Sequence, residues 1–128
     1  MNYEEKQKLA RAFLSVLAKA DEATVRAVTT PDVVWSFPGS SRISGEARGL
    51  EDIMKRARTI AEFAVKVEIQ HATFDLVGGV SMILHNTAFR NGRNLDERVS
   101  AVFTLRGDKI ARLDTYLSDV AMAEAFFA

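Results

Sequence analysis

The Asn91-Gly92 pair, set between two alternating apolar runs, constrains this chain more than any other feature. Asn-Gly is a preferred centre for a two-residue type I′ turn, whose twist matches that of the strands it joins. A loop of that length fixes the register. Arg90 faces Arg93. Moving outward, Ala88 meets Leu95, Asn86 meets Glu97, Leu84 meets Val99, Met82 meets Ala101 and Val80 meets Phe103. Apolar side chains meet at four of these five outward pairs, as a strand pair with one buried face requires. The exception is Asn86 opposite Glu97, which puts an amide and a carboxylate on an otherwise apolar surface. His85 falls on the other face, across from Arg98. A three-residue loop, Arg90-Asn91-Gly92, would instead bring His85 against Glu97, but it mismatches the apolar residues.

The rest of the chain extends this hairpin into a meander. Gly78-Gly79 and Gly107-Asp108 mark two further tight turns. Phe63, Val65, Val67 and Ile69 alternate with polar neighbours, and the apolar phase then moves to Ala72, Phe74 and Leu76. A phase change without a turn predicts a bulge near Gln70–Ala72, and long bulged strands curl. Ahead of the meander, helical spacing predicts one helix over about 3–19, and a second, capped by Asp21, to about Val28. Thr29-Thr30-Pro31-Asp32 should break that helix before a short strand, Val33 to Phe37. A third helix is expected over about 50–61, with Ile53, Met54, Ala57 and Ile60 on its apolar face and Arg56 and Arg58 off it. A last helix should follow Ser118 or Asp119. The fold class is therefore α+β: one domain over 1–128, with helices on a strongly curved mixed or antiparallel sheet.

Composition excludes several functions. Lys plus Arg and Asp plus Glu both number 17, so no basic excess holds nucleic acid. Arg90, Arg93 and Arg98 read as a solvated hairpin end. The chain has no cysteine, which removes disulfides and thiolate chemistry. His71 and His85 are not at metal-binding spacing, so neither a metal nor a cofactor is expected. The charged N-terminal residues do not read as a signal peptide, and no apolar run reaches membrane-spanning length. A cytoplasmic protein without a membrane partner is the expectation. The stretch "WSFPGSSRISGEARG" lacks the glycine spacing of a nucleotide loop and reads as a connection along a rim.

The stretches "KADEATVRAVTTPDVVWSFPGSSRISGEARGLEDI" and "LHNTAFRNGRNLDERVSAVFTLRGDKIARLDTYLSD", with the closing helix, carry a resemblance. The chain resembles the SnoaL-like, ketosteroid-isomerase-like members of the nuclear transport factor 2-like superfamily. The resemblance implies a cone: a bent sheet around a pocket, closed by helices. It also implies that familiar catalytic groups are missing. The positions matching the isomerase's tyrosine, general-base aspartate and neutral aspartate are Phe13, Phe37 and Ala101. Those matching the epoxide hydrolase's arginine and aspartates are Met82, Leu84 and Thr115.

What remains on the inner face is a small-molecule profile: many apolar groups and few polar ones. The candidate ligand-binding residues are Phe13, Trp35, Phe37, Leu84, Asn86, Val99, Phe103, Leu113 and Thr115. Glu97 is the candidate catalytic acid or base, since burial would raise its pKa into a useful range. Three readings stay open. One is an enzyme acting by isomerase, cyclase or lyase chemistry on a small hydrophobic molecule of polyketide, steroid or terpenoid type. The others are a non-catalytic ligand carrier and a protein-interaction scaffold. The outer face carries Ile83, Phe89, Val102, Ile110 and Tyr116 among charges, which predicts a homodimer through the sheet.

Overall fold

The hairpin read from Asn91-Gly92 is the spine of the fold in the computed structural model, which describes residues 1–128. Arg90 pairs with Arg93, and every pairing from Ala88–Leu95 to Val80–Phe103 is as expected. These strands are β4 (Val80–Arg90) and β5 (Arg93–Arg106), in a sheet with β1 (Thr29–Phe37), β2 (Gly45–Arg48), β3 (Lys66–Phe74) and β6 (Lys109–Leu117). The order across the sheet is β2-β1-β6-β5-β4-β3. Neighbours run antiparallel except β1 and β6, which are parallel.

The sheet is curved, and its register breaks show why. One lies in β3 between Ile69 and His71, where the apolar phase moves. A second lies between Thr104 and Leu105 against β6, and a third between Thr29 and Val34 of β1 against β6. Each adds a local bend and twist. The helices α1 (Tyr3–Leu14), α2 (Val16–Lys19), α3 (Glu22–Val28), α4 (Gly49–Glu62) and α5 (Val120–Phe126) share one cluster of 28 buried residues with the sheet's inner face.

Several local expectations need correction. The first helix does not run unbroken to residue 19. It ends at Leu14, and Ser15 turns its hydroxyl onto the Ala12 carbonyl at 2.7 Å. Ala20 then closes α2 in the left-handed region. Asp21 does cap α3, accepting from the Ala23 amide at 3.1 Å. Strand β1 starts at Thr29 rather than Val33, because Pro31 falls inside the register break, where no ladder amide is needed. Ile110 is fully buried and not on the outer face, since the register break near the start of β6 shifts its parity relative to Arg112. No helix is long and apolar enough to cross a membrane.

Candidate functional site

The concave side of the sheet curves around a cavity of about 40 Å³. Eighteen residues line it, and 15 of them are hydrophobic. Of the residues singled out from sequence, Trp35, Phe37, Leu84, Asn86, Glu97, Val99, Leu113 and Thr115 stand on its wall. Phe13 and Phe103 do not. They stack edge-on beneath, Phe13 at 5.7 Å from Trp35 and 5.9 Å from Phe103 between ring centroids. Both rings are at most 1% exposed. Their place is therefore in the packing that supports Trp35, because α1 seats Phe13 one layer below the wall.

The cavity's polar groups are Asn86, Glu97 and Thr115. Glu97 is 1% exposed. Its Oε1 accepts from the Asp119 backbone amide at 2.9 Å and the Ser118 hydroxyl at 3.1 Å. Its Oε2 is buried without a partner, as is Asn86 Oδ1 on the opposed residue of β4. An ionised carboxylate has only acceptors to offer, so these two atoms call for a donor. Protonated Glu97 supplies one, and so does a ligand hydroxyl. Burial pushes the Glu97 carboxyl above its ordinary value. The Asp119 amide and Ser118 hydroxyl oppose this, and the charges of Asp119 and Asp96 add to it. Thr115 Oγ1 accepts from the Trp35 indole N–H at 2.9 Å, which leaves its own hydroxyl proton for another acceptor.

His85 stands on the outer face opposite Arg98, away from the cavity. Its Nε2 lies 2.6 Å from Asp96 Oδ1, and Arg98 reaches the same carboxylate at 3.5 Å. The register with the two-residue turn thus separates His85 from Glu97, and the dyad that a longer loop would create does not form. Arg93 and Arg98 are exposed, as a solvated hairpin end requires, whereas Arg90 is half-buried against the Glu62 carbonyl and the Phe63 ring.

The sequence reading missed Arg56. It was placed off the apolar face, yet it is only 7% exposed. Its guanidinium donates to the Trp35 carbonyl at 2.6 Å and the Gly45 carbonyl at 2.9 Å. It also lies over the rings of Trp35 and Phe37. Burial pushes its pKa down to about 10, with Asp52 acting the other way. The signal was present: position 56 is three residues after Ile53 and four before Ile60, both buried. Arg56 fixes the β1–β2 hairpin, and with it the backbone that carries Trp35 and Phe37.

Known proteins share this architecture. The family model described as a SnoaL-like domain matches residues 10–113. The uncharacterized protein Rv0034 of Mycobacterium tuberculosis is 27% identical over 123 residues, covering 94% of each chain. Bal32a, from a soil-derived mobile gene cassette, superposes with a TM-score of 0.88 at 25% identity, covering 98% of each chain. SalBIII, an epoxide hydrolase/cyclase-like enzyme with a role in pyran ring formation in the polyether salinomycin, superposes with a TM-score of 0.72 at 17% identity. That alignment covers 90% of this chain and 91% of SalBIII and speaks to the fold alone. With a matching family model across most of its length, the chain belongs to the SnoaL-like family, and it shares the fold of an NTF2-like protein from Burkholderia xenovorans, which superposes with a TM-score of 0.79 at 20% identity.

Proposed function

We propose that the chain binds a small apolar organic molecule in the cone and moves a proton on it through Glu97. The observation that carries this reading is the unpartnered, buried Oε2 of Glu97 on a wall that is otherwise nearly all hydrocarbon. A carboxyl group held in such a place has a raised pKa, which suits it to taking and returning a proton. As a carboxylate, Oε2 would take a proton from a ligand carbon next to a carbonyl. As the acid formed, it would return that proton to another ligand atom, so the step is an isomerisation or ring closure without net loss. The Thr115 hydroxyl and the Asn86 amide are the groups that would hold the ligand's carbonyl oxygen. The family includes enzymes of this general kind, and SalBIII is named for a ring-forming role.

The cavity also limits the ligand. A space of about 40 Å³ holds a water or two. An apolar molecule the size of a ring system must displace part of the wall on entry. The test compares wild type with Glu97→Gln across a panel of cyclic ketones and epoxides. The expected outcome is turnover by wild type and a loss of about a hundredfold or more in Glu97→Gln. Full activity in Glu97→Gln would contradict the assignment. A second reading, a carrier without catalysis, is favoured by the apolar residues Phe37 and Ala101 on the cavity wall, at positions where the resemblance places catalytic aspartates. A ligand that raises the melting temperature and is recovered unchanged would select it.

A homodimer through the outer sheet face belongs to the same proposal. Ile83 and Val102 are only half-buried in the middle of that face, and Tyr116 is 62% exposed beside them. A second copy of the chain would cover them. Sedimentation should give a dimer at micromolar concentration, and Val102→Glu should give a monomer; a wild-type monomer would contradict it.

A further inference from the structure

We infer that the cavity is entered past Phe37, from an outer groove that receives the neutral polar end of a ligand whose apolar end lies inside. This rests on reading the cavity as a ligand site. The groove has a volume of about 490 Å³ and lies where β1 and β6 end against α5. Phe37, Thr115 and Leu117 line both the groove and the cavity, so the wall there is one side chain thick. Exposure selects the same place independently. The cavity's other lining residues are buried, apart from Asn86, whereas these three are half-buried.

Among the three, Phe37 is the least tied: it stands at a strand end, with the Arg56 guanidinium 5.9 Å from its ring. Thr115 is tied to the Trp35 indole, and Leu117 is paired with Val99 inside the sheet. Phe37 is the last residue of β1. It pairs with Gly45 on one side, while the last pairing on the other side is Ser36 with Asp114. The chain then leaves through Pro38 and Gly39, and Gly39 has φ +91. Rotating the Phe37 ring out of the wall joins the two spaces. At about 40 Å³ the cavity is too small for an aromatic ring, since benzene occupies engineered cavities of roughly 150 Å³. The joined space is not.

The groove also suggests the ligand's outer end. Its carboxylates, Glu46 and Asp114, are both engaged by Arg112, at 3.3 and 2.9 Å, and Arg48 also holds Glu46, at 2.5 Å. Their charge is therefore balanced within the wall. A hydroxylated, uncharged end fits such a surface better than an ion does.

Trp35 is the only tryptophan and is 3% exposed on the cavity wall, so its fluorescence reports access without any ligand. Quenching by acrylamide should be weak in wild type and rise several-fold in Phe37→Ala. It should stay near wild type in Leu14→Ala, which alters a buried part of the same wall away from the groove. Unchanged quenching in a folded Phe37→Ala, or an equal rise in Leu14→Ala, would overturn the route. If Phe37→Ala does not fold, Leu117→Ala reads the same wall, with the same two outcomes. Benzyl alcohol should shield Trp35 from acrylamide, and benzylammonium should not. Equal shielding by both would overturn the neutral end. Shielding by neither, with the quenching results as expected, would refute the cavity as a ligand site and leave the route standing.

Discussion

Glu97 pairs an unfavourable burial with a specific arrangement. One oxygen is bound at the start of α5 and the other faces hydrocarbon without a partner. The stability consequence has a definite sign. The native carboxyl holds its proton more tightly than the unfolded one, because burial raises its pKa. Its contribution is therefore most favourable below the ordinary glutamate range, and is lost as pH rises through the raised native value. Glu97→Gln removes the charge, keeps the acceptor for Asp119, and offers an N–H toward Asn86. It should stabilise the fold by about 1 kcal/mol near pH 8 and change it little near pH 4. Chemical denaturation at both pH values checks this; a variant less stable than wild type at the higher pH would count against it. Asp114 shows the opposite balance. Burial works against its charge, but Arg112 and Ser36 outweigh burial and hold its carboxyl below the usual range.

Among the elements, β4 and β5 were legible from sequence because a single turn chemistry fixed their register. The position of Glu97 and Asn86 on the inner face followed from it. The bulge in β3 was legible for the same reason: a strand cannot keep one face buried while its apolar phase moves. What stayed hidden depended on long-range partners. Strand β2 is four residues long inside a glycine- and serine-rich stretch, and it exists because β1 offers it an edge. The parity of Ile110 turned on a bulge with no glycine to mark it. Arg56 sits on the apolar side of α4, and only the Trp35 and Gly45 carbonyls make that tolerable. Arg56→Met should therefore cost about 2 kcal/mol, since it strands those acceptors. Arg56→Lys should recover little, because a single ammonium does not reproduce the planar fork. Equal stability of Arg56→Met and wild type in denaturant melts would contradict this role.

At the scale of the whole molecule, the cone makes core and site the same object. The side chains that hold the sheet to the helices also form the cavity wall, so the space is small and largely apolar. Closure of that space by α5 brings the Asp119 amide onto Glu97, which couples the C-terminal helix to the one buried carboxylate. Resemblance to the family pointed to the cone and to the missing catalytic groups, while the hairpin register pointed to Glu97. Whether the carboxyl is poised for proton transfer is the central claim. A carbon-13 NMR titration of the side-chain carboxyls, with Glu97→Gln to identify the resonance, tests it most directly. The account predicts a Glu97 midpoint clearly above the ordinary 4.5. A midpoint at or below that value would contradict it.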